Sequence, residues 1–128
     1  MKVFRDPRLV KGIDEFNNRL FFECHESLEE IWLEEHGDDR AFYQGLIQVA
    51  AGYLKWEQGV LIGAIKLWRT GLEKLEAYPG IHLGVDLAAL VDATRSNLKL
   101  VEAAHQKNSA APDIPVPQIC LDGGADAA

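Results

Sequence analysis

Apolar residues recur at spacings of three and four along most of the chain, and no convincing period-two strand pattern appears. This pattern predicts five helices. The first spans about Pro7 to Asn17. Asp6 stands before it as a carboxylate that can accept from free backbone N–H groups, and Pro7 carries a φ already suited to a first helical residue. Asn17-Asn18-Arg19 reads as a break, because Asn tolerates the left-handed conformation that ends helices. The second helix runs from about Leu20 to about Glu35 and stops near Gly37. The third covers about Arg40 to Gln58, with Asp39 as its candidate N-cap and Gly59 as a turn or kink. The fourth covers about Leu61 to Ala77 and is closed by Tyr78-Pro79-Gly80. Residues 80–84 read as a loop. The fifth helix, about Asp86 to Gln106, carries an apolar stripe of Leu87, Leu90, Val91, Leu98 and Val101.

Past Asn108 the character changes. Pro112, Pro115 and Pro117 exclude a helix, so the segment is expected to be extended. Ile114, Val116, Ile119 and Leu121 are placed to lay it along the bundle, and the small acidic residues after them read as a loose end. The expected fold class is therefore all-α. It is a compact bundle of about five helices over residues 1–108, with an extended or partly disordered, Pro-containing C-terminal tail over 109–128. Gly45, Gly52, Gly63 and Gly71 interrupt helical patterns at about 1 kcal/mol each relative to Ala. Close helix approach is the expected compensation, with Trp32, Tyr53, Trp56 and Trp68 as large partners; Trp32, Trp56 and Trp68 read as core anchors.

With 128 residues and 48% apolar side chains, the chain can bury one ordinary core without staples. Thirteen Lys and Arg against twenty Asp and Glu leave a formal charge of −7. That sign and the lack of a basic patch argue against nucleic acid as a partner. No apolar run is long enough to span a membrane, and Met1 to Val10 lacks an apolar signal region, so the expected address is cytoplasmic. Cys24 and Cys120 are far apart and show no metal-binding spacing. Cys24 is expected to pack in a helix and Cys120 to lie in the tail, both as reduced thiols.

The polar chemistry concentrates on the second helix. On a wheel of about 100° per residue, His25 and Glu29 fall inside the apolar stripe, one turn apart, beside Phe21, Phe22, Leu28 and Trp32. Glu26 lies at the edge of that arc, whereas Glu23, Glu30 and Glu34 point to solvent. A carboxylate on an apolar face costs several kcal/mol unless it is paired. On the third helix, Gln44 and Gln48 lie four apart on a small polar face beside Gly45, Ala51 and Gly52. A buried polar cluster of His25, Glu26, Glu29, Gln44 and Gln48 is the expectation. His25-Glu26-Ser27-Leu28-Glu29 also reads as HExxE, in which a glutamate replaces the second histidine of the zinc-protease motif HExxH. His25 and Glu29 could still hold a divalent metal, with Glu26 as base or further ligand. No histidine nearby completes a catalytic zinc site. Glu102-Ala103-Ala104-His105 has the ExxH spacing of di-iron bundles but lacks its second copy. The acidic end of the second helix has Arg40 or Arg69 as candidate partners.

Phe16-Asn17, the run Phe21-Phe22-Glu23-Cys24-His25-Glu26 with Leu28-Glu29 and Trp32, the block from Phe42 to Ala51, and Gly63-Ala64 together resemble the signature of the domain of unknown function 309 family. The resemblance covers about residues 9–78, and the fifth helix by position only. It implies a compact all-α bundle with no established activity. Its hallmark positions fall on Phe16, Asn17, Glu23, His25, Glu26, Glu29, Trp32, Gln44, Gly45 and Gln48. Arg19 departs from the pattern, since members often carry Gly there.

Two functional expectations follow. The first is a non-enzymatic interaction or structural protein without a cofactor, in which the cluster fixes helix register and the apolar third helix leaves room for a homodimer or a protein partner. The alternative is a metal-binding or metal-dependent hydrolase-like site on the HExxE segment.

Overall fold

A computed structural model describes residues 5–121 of the chain. Among the described residues there are five helices: α1 (Pro7–Asn17), α2 (Phe21–Glu34), α3 (Arg40–Glu57), α4 (Leu61–Leu75) and α5 (Leu87–Gln106). Between α4 and α5 lies a hairpin of two short strands, β1 (Ile81–His82) and β2 (Val85–Asp86), paired antiparallel. The loop expected at residues 80–84 is thus partly strand. Its two-residue turn places both Leu83 (φ 50°) and Gly84 (φ 78°) in the left-handed region. That turn matches the right-handed twist of paired strands. A Leu at the first position carries no sequence signal for it, which explains why pattern reading passes over the hairpin.

Helix α3 lies between α2 and α4; α1 packs on α2, and α5 packs on α4. The approach of α3 to α4 rests on glycine. A Cβ at Gly45 would stand 2.8 Å from the Leu75 side chain and 3.2 Å from the Gly71 carbonyl oxygen. A Cβ at Gly52 would overlap the Trp68 indole, which is fully buried and donates to the Val49 carbonyl at 3.2 Å. The helix-propensity cost of these glycines is therefore offset by close packing.

The helix ends are closed by side-chain caps and by backbone geometry. Asp6 caps α1, accepting from the Arg8 backbone N–H at 2.8 Å. The Arg8 guanidinium also grips that carboxylate, holds it below the usual carboxylate range, and reaches Glu34 at the end of α2. After α1, the Arg19 N–H bonds to the Phe16 carbonyl and the Leu20 N–H to the Glu15 carbonyl, the pairing of a Schellman motif. The left-handed residue is Arg19 (φ 61°), not the asparagines before it. That position suits glycine, and Arg19 instead lays its guanidinium over the Trp56 ring at 5.4 Å. The same closure recurs at Gly59 (φ 78°) and Asn108 (φ 54°). Asp39 stands at the N-cap position of α3 but does not cap it. Its carboxylate meets His82 Nε2 at 2.7 Å, and the Tyr78 hydroxyl accepts from the Phe42 N–H while donating to the Asp38 carbonyl.

Residues 109–121 run extended over the bundle. Trp56 Nε1 donates to the Pro112 carbonyl at 2.7 Å and Asn97 Nδ2 to the Pro115 carbonyl at 3.0 Å. Asn17 clamps the backbone of Ile119 twice, at 3.0 and 2.7 Å, and Leu121 bridges to Val85. Asn17 is thus a fastener for the tail, a role that its place in a break does not suggest. The expected loose residues 122–128 lie outside the described residues.

The core centres on Tyr53. Its ring lies 5.5 Å from Phe16, 5.6 Å from Phe21 and 4.8 Å from Trp68, while Phe16 and Phe21 meet edge to face at 5.2 Å. Its hydroxyl bonds to Thr94 Oγ1 at 2.9 Å and accepts from Asn97 Nδ2 at 3.0 Å. Tyr53→Phe keeps the ring and strips two buried partners of their bond. It is expected to cost about 1–3 kcal/mol in urea denaturation, with the fold retained.

Candidate functional site

Along α2, Phe21, Cys24, Leu28 and Ile31 turn into the core. His25, Glu29 and Trp32 occupy the flank beside α3, where Gln44, Ile47, Gln48 and Ala51 face them. Leu67 of α4 completes the lining of a cavity of about 230 Å³. Four of the five expected cluster residues, His25, Glu29, Gln44 and Gln48, are therefore brought together.

Two features of the expected cluster are corrected. It is not buried: the side chains of His25 and Glu29 are 31% and 46% exposed, and the site is a groove open to solvent. Full burial would leave the Glu29 carboxylate with only His25 as an ionic partner, and an open edge lets water carry the rest of its solvation. Glu26 is also not a member. One residue on from His25 turns it about 100° around the helix, toward α1. There it lines a separate depression with Lys11, Glu15, Glu23, Ser27 and Glu30. Ser27 is the buried member of that set, donating to Glu15 at 2.7 Å and accepting from Lys11 at 3.0 Å. A base role for Glu26 at the His25–Glu29 pair has no geometric footing.

Inside the groove, His25 Nε2 lies 3.7 Å from Glu29 Oε2, which is ion-pair range rather than a hydrogen bond. Phe22, half exposed, stacks on the His25 ring at 6.3 Å. Trp32 is a half-buried wall of the groove rather than a core anchor, whereas Trp56 and Trp68 are buried. The Arg40 guanidinium sits 4.1 Å from the Trp32 ring centroid, a cation–π contact. Arg40 is thus committed to an indole, Arg69 pairs with Glu102, and at the acidic end of α2 Glu34 pairs with Arg8. Three lining residues each hold a buried polar atom without a hydrogen-bond partner: His25 Nδ1, Trp32 Nε1 and Gln48 Oε1.

The remaining hallmark positions lie outside the groove. Phe16 belongs to the aromatic core, Asn17 fastens the tail, Gly45 admits α4, and Glu23 is exposed. The walls Ile47, Ala51 and Leu67 are apolar residues that a wheel assigns to packing; only the tertiary structure shows that they border a gap. For a cation, the groove offers His25 and Glu29. Among the described residues, no group of three or more His, Cys, Asp or Glu is placed to hold a metal ion.

An all-α bundle with a mixed polar and apolar groove along its second and third helices is thus the class that fold and site define. Residues 9–67 match the family model described as Domain of unknown function (DUF309). The matched segment ends at Leu67, short of the tail of α4, and it contains every residue that lines the groove. No curated protein matches the chain. Among the described residues, no helix is long and apolar enough to cross a membrane.

Cys24 lies one residue from His25 but faces the core, where burial pushes its thiol up to about 12. The thiolate is therefore scarce at neutral pH. A thiol reagent at pH 8 is expected to modify the exposed Cys120 rapidly and Cys24 only when the protein unfolds. Mass spectrometry of the labelled chain checks this, and rapid labelling of Cys24 would contradict it.

Proposed function

We propose that this chain is a non-enzymatic binding domain that takes a small molecule in the groove between α2 and α3. The observation that supports this reading is the set of three buried polar atoms left without partners on His25, Trp32 and Gln48, all residues that line one cavity. Each such atom costs about 1–3 kcal/mol. A cluster kept only to set helix register would gain by pairing or losing them, whereas a binding site retains such groups for its ligand. Apolar walls around a few convergent polar groups are the usual make-up of a small-molecule site.

The groove argues less for hydrolysis. Its lining holds no Ser, Thr or Cys, since Cys24 faces the core, and Glu26 faces away.

Gln48→Leu separates binding from scaffolding. It removes a buried unpaired acceptor and adds apolar contact at similar volume. If the groove is a binding site, the variant is expected to be more stable by about 1 kcal/mol, a rise of roughly 4 °C in Tm. A fall in Tm of that size would support a register-fixing network and overturn the binding reading.

A metal is the second reading, favoured by one observation. The 3.7 Å between His25 Nε2 and Glu29 Oε2 is close to the span of two ligands on one tetrahedral cation. Under it, zinc chloride raises Tm, EDTA reverses the rise, and Glu29→Gln abolishes it. Under the small-molecule reading, elemental analysis finds no stoichiometric metal and EDTA leaves Tm unchanged.

A further inference from the structure

Resting on the reading of the groove as a binding site, we propose that its ligand is a neutral, planar nitrogen heterocycle with hydrogen-bond donors and acceptors on one edge, the chemistry of a free nucleobase. The lining decides this by what each group can and cannot do. The Trp32 indole N–H only donates. The ionised carboxylate of Glu29 only accepts, and it stands at the open side of the groove, 46% exposed. The Gln44 and Gln48 amides, one helical turn apart on α3, each donate and accept, as does a neutral His25 imidazole.

An inorganic anion would satisfy the indole and the amide N–H groups but would sit against Glu29. A bare cation would satisfy Glu29 and the unpaired oxygen of Gln48 but would leave the Trp32 N–H without an acceptor. A purely apolar molecule would leave all of them unpaired. A neutral ligand that carries both kinds of group answers the whole set.

Shape points the same way. Ile47, Ala51 and Leu67 are apolar walls suited to the weakly hydrated faces of a flat ring, while the polar groups meet its edge. A Gln amide matches the adjacent donor and acceptor of a base edge in a bidentate pair. The cavity of about 230 Å³ is below the range of drug-sized ligands, which suits a molecule of one or two rings. Because His25 Nδ1, Trp32 Nε1 and Gln48 Oε1 are shielded from solvent, binding requires rotations of the Gln48 amide, the His25 ring and the Trp32 indole. The net charge of −7 disfavours a polynucleotide and places no bar on a free base.

The test uses the full chain labelled with ¹⁵N and follows its indole N–H resonances, with Trp32→Phe assigning the one in the groove. Trp56 and Trp68 are internal controls, because their N–H groups are already bonded to the carbonyls of Pro112 and Val49. The probes are adenine, cytosine and uracil at millimolar concentration, and separately sodium phosphate and zinc chloride. The expected result is a saturable shift of the Trp32 resonance with at least one base, while Trp56 and Trp68 stay in place. Glu29→Ala, which alters a half-exposed side chain, is expected to fold and to weaken that binding about tenfold, as loss of one charge-assisted hydrogen bond does. A shift with phosphate or zinc in place of the bases overturns the heterocycle and leaves the groove a binding site. No shift with any probe, with Gln48→Leu more stable than the parent, likewise overturns only the heterocycle. No shift with any probe, together with a destabilised Gln48→Leu, overturns both.

Discussion

Tyr53 holds the bundle together. Its ring contacts aromatic side chains from α1, α2 and α4, and its hydroxyl is shared between Thr94 and Asn97 of α5. Asn97 passes the connection on to the backbone of the tail at Pro115. One side chain on the central helix thus joins four other helices and the extended segment. Aromatic packing supplies the apolar part of that junction. The two hydroxyl bonds fix its orientation, because buried donors and acceptors tolerate little misalignment.

The groove is a consequence of how α3 is shared between its neighbours. On one side, Gly45, Gly52 and Gly71 let α4 approach until backbone and side chains are in contact. On the other, α2 presents His25, Glu29 and Trp32, which are large or polar and cannot close over the gap without dehydrating a carboxylate. The helix pair therefore stays parted along that edge. The same helix is packed by glycine on one flank and held open by polar bulk on the other.

Helix positions were largely legible because apolar spacing and start signals are local: α1 spans Pro7–Asn17 as the pattern predicts, and the other helices end within two residues of expectation. The details that failed are those in which a residue answers to a distant partner. Asp39 has the right side chain for a cap, yet His82 takes it. Asn17 looks like a helix terminator and serves the tail instead, while Arg19 bears the left-handed turn because Trp56 and Glu57 receive its side chain. Leu83 adopts a turn conformation that only the pairing of its flanking strands supports.

The sequence by itself determined the all-α class, the helix spans and the shared faces of His25 with Glu29 on α2 and of Gln44 with Gln48 on α3, since a 3.6-residue period fixes which side chains of one helix share a face. It could not place Glu26, because a wheel gives an angle about one axis and says nothing of which neighbour lies at that angle. Nor could it tell a sealed cluster from an open groove. That depends on how α2 packs against α3, where the half-exposed Glu29 carboxylate keeps its solvation at the edge. The tertiary structure decided both, and so turned a set of residues that resembles a core network into a site with a mouth, two apolar helical walls and polar groups that still lack partners.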